Sequence, residues 1–115
     1  MNKDRLLVLA NYLDKVDPAT FDMSQWWCGT AGCAMGHACM IPEFTEAGLR
    51  FWKEVGIVNQ DCPVFNGQIG YDAAEAFFDL EGDRTCYLFN AGEYEYPTNP
   101  RDVANRIRQE VACGG

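Results

Sequence analysis

Residues 28–39 read Cys-Gly-Thr-Ala-Gly-Cys-Ala-Met-Gly-His-Ala-Cys, and apart from Met35 and His37 every side chain in the run is small. Such a stretch cannot fill a core with its own volume, so other elements must close on it. A helix over residues 31–41, with Thr30 as N-cap and Pro42 as its stop, satisfies that demand. Gly32 and Gly36 would each cost such a helix about 1 kcal/mol relative to alanine. Close backbone approach by a neighbour offsets that cost, and Trp26 and Trp27 are the large side chains nearest in sequence. The expected architecture is mainly α, a compact single domain over residues 1–115. It has four to five short helices around the Ala31–Ile41 element and at most one small β-hairpin.

The other elements follow from spacing. Leu6, Leu9, Ala10, Leu13 and Val16 recur at three- and four-residue steps and predict an amphipathic helix over 4–15 that ends before Asp17-Pro18. Phe21, Met23, Trp26 and Trp27 lie in a loop that clamps the first helix onto the second. From Phe44 to Gly70 the pattern weakens, and the Asn66-Gly67 turn signal between Val64 and Ile69 marks a small hairpin in an otherwise irregular stretch. Asp72 opens a helix carrying Ala73, Ala74, Phe77 and Phe78 that stops near Glu81-Gly82. A shorter turn follows over Arg84–Phe89, and Asn99 with Pro100 begins a closing helix whose face is Val103, Ile107 and Val111.

Charge is distributed unevenly. Of 17 acidic and 9 basic residues, segment 54–95 holds nine acids against Arg84 alone, while the remainder balances at eight and eight. That half would repel phosphates, which argues against direct nucleic-acid binding and for a basic protein partner. Loop and helix-end positions present Asp79, Glu81, Asp83, Glu93 and Glu95 as the contact residues, with a solvated acidic surface as the alternative. No apolar run approaches the roughly 18 residues of a membrane span, and the amino terminus lacks a cleavage pattern. The expectation is a cytoplasmic protein whose six cysteines are thiols rather than three disulfides.

Crowded cysteines and the single histidine invite a chemical reading of the same block. On a continuous helix Cys33 and His37 share a face and both reach one metal ion, with Cys28 as a third ligand; Cys39 points to the opposite side. The spacing lacks the paired Cys-x2-Cys of most structural zinc sites. Cys28 near a helix N-terminus, with His37 as base, would make a thiol nucleophile, although nine residues separate them. The leading expectation carries no cofactor: the cysteines are buried small residues and His37 is hydrogen-bonded. A small zinc- or thiol-dependent enzyme using Cys28, Cys33 and His37 is the alternative.

Taken together, Phe21-Asp22-Met23, the block Cys28-Gly29-Thr30-x-x-Cys33-Ala34-x-Gly36-His37-Ala38, Pro42-Glu43-Phe44, the Ala76–Leu80 helix, Leu88-Phe89 and Thr98-x-Pro100 resemble a group of small uncharacterised proteins of bacteria and their phages. The resemblance spans nearly the whole chain and implies a bacterial or viral setting but no substrate. In that setting the acidic half would make the protein a non-enzymatic binder, plausibly an inhibitor of a host nucleic-acid-handling system acting through a basic partner.

Overall fold

Two long amphipathic helices form the spine of the fold in the computed structural model, which describes residues 1–24, 26, 31–52, 62–95 and 98–113. Helix α1, Lys3–Leu13, starts where Asn2 Oδ1 accepts the Arg5 N–H at 3.1 Å, and it buries Leu6, Leu9, Ala10 and Leu13. Helix α6, Pro100–Cys113, is capped by Asn99, whose Oδ1 accepts the Arg101 N–H at 2.9 Å, and it lays Val103, Ala104 and Ile107 along α1. Arg108 ties the pair at the surface, donating to Asn11 Oδ1 at 2.9 Å and to the Asp14 carboxylate. That contact holds the Asp14 carboxyl below its ordinary range. Val111 packs at the edge of the same face.

Four further helices and a small sheet close around this spine. Helix α2 is Ala34–Ala38, α3 Pro42–Glu46, α4 Gly70–Phe78 and α5 Gly82–Phe89. Phe77 and Phe78 of α4 are fully buried and form the centre of an aromatic cluster. Phe44 meets Phe77 edge to face at 4.8 Å between centroids, Phe65 meets Phe77 at 5.0 Å, and Phe89 stacks on Phe78 at 5.6 Å. Beyond the area they bury, such pairs contribute about 0.5–1.5 kcal/mol each. The fold is mainly α with a small antiparallel sheet, as the spacing predicts, with α3 and one strand in addition.

The sheet runs in the order β1 (Arg50–Trp52), β2 (Cys62–Phe65), β3 (Gln68–Ile69), with Arg50 opposite Val64 and Phe65 opposite Gln68. Asn66 and Gly67 turn the hairpin with φ of 55° and 83°, the pair of positive values a type I′ turn requires. Pro63 is tolerated in the middle strand because β3 ends at Ile69, opposite Val64, and leaves that side of Pro63 unpaired.

The small-residue block departs from the expected long helix. Gly32 is extended and pairs in parallel with Phe21: Asp22 N–H donates to Gly32 O at 2.9 Å and Gly32 N–H to Thr20 O at 3.1 Å. Cys33 is therefore the N-cap of α2, and only Ala34–Ala38 are helical. Pro42 does not merely stop a helix but occupies the first turn of α3. The central position of the block holds, since all five residues of α2 are buried. Trp26 sets its ring 5.0 Å from Tyr71 and its edge on Gly70, while Trp27 and Thr30 lie outside the described residues.

Two further boundaries shift. Helix α4 begins at Gly70, not Asp72, because Ile69 ends β3 in extended conformation and Gly70 takes a φ of 61°; Asp72 falls in the first turn instead. It ends at Phe78 because Asp79 enters the left-handed region at φ 54°, ψ 57°, ahead of the expected Glu81-Gly82. The stretch over Arg84–Phe89 is a full helix from Gly82.

Candidate functional site

Burial decides what the Cys33 and His37 pair can do. Cys33 is 2% exposed, and enclosure pushes its thiol from 9.0 up to about 11, with the nearby Gly36 and Met35 N–H groups pulling weakly the other way. At pH 7 such a group holds about one thiolate in ten thousand. His37 is 4% exposed, stacked on Phe21 at 5.8 Å between centroids and tilted against Tyr12 at 6.3 Å. Its Nε2 lies 2.8 Å from Thr20 O. A carbonyl only accepts, so Nε2 carries the proton and the imidazole is fixed in that tautomer. Burial draws the His37 pKa below 6.5 despite the pull of the Thr20 carbonyl in the opposite direction.

The arrangement is one of a core histidine that fastens the Pro18–Asp22 segment to α2. Thr20 O receives both His37 Nε2–H and Gly32 N–H, so one carbonyl joins the loop, the extended residue and the helix. Cys33, Cys39, Cys62, Cys86 and Cys113 are free cysteines, the first two buried. Cys28, the third member of the expected ligand set, lies outside the described residues. Among the described residues, no three His, Cys, Asp or Glu side chains are grouped to hold a metal ion.

The acidic candidates gather at the ends of α5 and in the turn that follows it. Asp79, Glu81, Asp83, Glu93 and Glu95 are all exposed. Asp79, at the left-handed end of α4, pairs with the Met1 amino group at 3.2 Å while its side chain stays 85% exposed. Glu81 is the N-cap of α5 through its carbonyl, which accepts both the N–H and the hydroxyl of Thr85 at 2.9 Å. Asp83 sits in the first turn of α5, where the helix dipole favours a carboxylate. Asn90 caps a short 3-10 turn over Ala91–Glu93 by accepting the Gly92 N–H at 2.8 Å.

Arg106 of α6 fixes the acidic turns relative to one another. Its guanidinium lies 4.3 Å from the Tyr87 ring centroid and 4.0 Å from that of Tyr94, and it donates to the carbonyls of Tyr87 and Glu93 at 3.1 and 2.9 Å. Tyr94 closes the assembly, its hydroxyl donating to Leu88 O at 2.7 Å; burial raises its pKa far above 10, outweighing the nearby Arg106. Glu81, Asp83, Tyr87 and Glu110, with Arg84 paired to Glu110 at 3.3 Å, line an open depression of about 360 Å³.

Charge counting finds the five carboxylates but misses Tyr87, Arg106 and Glu110. The last two lie in the balanced part of the sequence and reach the acidic half only because α6 packs beside α5. A 39% exposed tyrosine between acidic positions is the one local signal for this face. No described helix is long and apolar enough to cross a membrane. Comparison with family models, curated proteins and solved structures yields no match.

Proposed function

We propose that the protein works by binding a basic protein partner through the acidic face formed by α5, its two flanking turns and the exposed ring of Tyr87. The observation that carries this reading is that Glu81, Asp83, Glu93 and Glu95 are exposed and form no ion pair among the described residues. Four carboxylates without an ion pair among those residues, two of them beside the exposed Tyr87 ring, suit Lys and Arg side chains, which gain both charge and ring contact there. Bulk electrostatics supports the same class of partner, because a net charge of −8 disfavours direct contact with nucleic acid. In the bacterial or phage setting implied by the sequence resemblance, an inhibitor of a host nucleic-acid-handling system would use such a face against a basic component of that system.

A thiol or metal chemistry at Cys33 and His37 is the weaker reading, since both groups are enclosed and held in their neutral forms. The test is recovery of a partner from bacterial lysate at about 0.05 M salt, then binding measurements on the purified pair. Association should weaken markedly by about 0.2 M salt. The triple variant Glu81→Lys, Asp83→Lys, Glu93→Lys should lose binding with little change in melting temperature, because exposed charges contribute about 0–1 kcal/mol each. If no partner is recovered, or the triple variant binds as well as the parent, the reading fails.

A further inference from the structure

A second depression, of about 420 Å³, lies between the end of α3 and the β2–β3 hairpin, lined by Ala47, Gly48, Arg50, Val64, Phe65, Asn66 and Gly67. Among the described residues Arg50 is the sole charged one in the lining, and no carboxylate of theirs enters it. Four of the other five arginines are engaged within the fold: Arg5 donates to Phe77 O, Arg84 pairs with Glu110, Arg106 donates to two carbonyls and Arg108 to Asp14, while Arg101, on α6, does not line the depression. Exposed Arg50 has no hydrogen-bond or ion-pair acceptor among the described residues.

Two backbone donors belong to residues that line the same depression. Asn66 and Gly67 occupy the two central positions of the hairpin turn, outside the strand ladder, and their N–H groups have no acceptor among the described residues. Helix α3 ends beside the depression, at Ala47 and Gly48. Gly48, at φ 109°, closes that end: its N–H donates to Thr45 O at 3.1 Å and the Leu49 N–H to Phe44 O at 3.0 Å. This is the double bond of a Schellman cap, and it engages the Phe44 and Thr45 carbonyls. The half-buried Phe65 ring forms an apolar wall.

We propose that this depression is an oxyanion site, in which Arg50 forms a two-point contact to a phosphate or carboxylate group and the Asn66 and Gly67 N–H groups complete its coordination. A planar guanidinium matches both anions, and the volume suits a small organic acid or phosphate ester rather than a bare ion. The site is independent of the acidic face, and it reads in the opposite electrostatic sense. Because the chain as a whole is strongly acidic, anions are repelled from most of its surface, so saturable anion binding would be local to this depression.

The experiment is an amide and arginine-side-chain NMR titration of the intact protein with inorganic phosphate and, separately, acetate, at constant ionic strength set with chloride. The expected result is saturable shifts of the Asn66 and Gly67 amides and of Arg50 Nε–H, with half-saturation at about 1–10 mM for the preferred anion. The lower midpoint identifies the group as phosphate or carboxylate. Arg50→Gln should weaken binding by about tenfold or more, Arg50→Lys by less, and Arg101→Gln not at all. Arg50 is exposed, so the variants should keep the parent spectrum elsewhere. Shifts that stay linear to about 100 mM with both anions, or that persist unchanged in Arg50→Gln, would overturn the assignment.

Discussion

Raising the pH should test the burial of Cys33 directly. The folded protein holds this thiol protonated up to about 11, whereas an unfolded chain releases the proton near 9.0. Between those values the native state binds more protons than the unfolded state, so stability falls as pH rises. At 1.36 kcal/mol for each tenfold difference in proton affinity, the full loss is about 2.7 kcal/mol, reached above pH 11. Only about 0.1 kcal/mol is lost by pH 8 and about 1.4 kcal/mol by pH 10. Urea unfolding under reducing conditions, at pH 8 and pH 10, reads the difference, and the buried phenols of Tyr71 and Tyr94, which also resist ionisation, are common to parent and control. For a urea dependence of about 1–3 kcal/mol per molar, the midpoint should fall by roughly 0.4–1.3 M. Cys33→Ala is the control: it should begin less stable, having lost a buried sulfur, yet lose about 1.3 kcal/mol less over the same interval. The other five cysteines, Cys28, Cys39, Cys62, Cys86 and Cys113, are present in both proteins and cancel. Equal losses in the parent and Cys33→Ala would show that the thiolate forms without penalty in the native state. The enclosed-core account of the block would then be wrong, and a reactive cysteine would return to consideration.

Acid should act through His37 with the opposite dependence. Its folded pKa is depressed, so the unfolded state binds the proton first, and the stability from a neutral buried imidazole is present above about pH 6.5 and lost as pH falls from there towards the folded value. Chemical denaturation between pH 7.5 and 5 should show a falling midpoint in the parent and a flatter one in His37→Phe; parallel curves would contradict the assignment. At the hairpin, Gly67→Ala introduces a side chain into open space, since nothing lies within 4 Å of its Cβ, but at a φ of 83°. The variant should be destabilised by about 1–2 kcal/mol in urea melts through backbone strain alone, and a change below a few tenths would mean that the turn is not held in this conformation.

Local signals accounted for much of the fold. The Asn99-Pro100 start of α6, the leucine spacing of α1 and the Asn66-Gly67 turn are all encoded within a few residues, and each is found where the spacing predicts. The misplaced boundaries have nonlocal causes. Ala31 favours a helix and Gly32 costs one only about 1 kcal/mol, but the pairing of Gly32 with Phe21 holds the chain extended there, and a partner eleven residues away is not announced locally. Strand β1 forms because Arg50–Trp52 finds β2, not because its own alternation is strong. Asp79 adopts a left-handed conformation that no glycine announces. The carboxylates of the acidic face were legible from charge, whereas the spacing of Cys33 and His37 suggested a shared helical face that the extended N-cap conformation of Cys33 does not provide. What the spacing could not convey is that Phe21 and Thr20 cover His37 and take the imidazole proton into an internal hydrogen bond.

The acidic face is built so that its charge can change without disturbing the fold. Glu81 is anchored through its carbonyl, which caps α5 towards Thr85, and Glu93 through its carbonyl, which accepts from Arg106. Asp79 is set by its backbone conformation at the end of α4, and its side chain stays 85% exposed while pairing with the Met1 amino group. In each case the main chain fixes the position, and the carboxylate projects from it with little structural duty. Fastening is assigned instead to arginines, whose guanidinium groups reach carbonyls and rings that a point mutation of a surface acid leaves intact. Arg106 illustrates the division: it holds Tyr87, Tyr94 and the Ala91–Glu93 turn together through rings and main-chain oxygens, without calling on the Glu93 side chain. Glu110 is the exception, since its carboxylate pairs with Arg84 across α5 and α6, and a substitution there would change charge and packing together. Charge reversals at Glu81, Asp83 and Glu93 therefore separate recognition from stability, whereas a reversal at Glu110 would not.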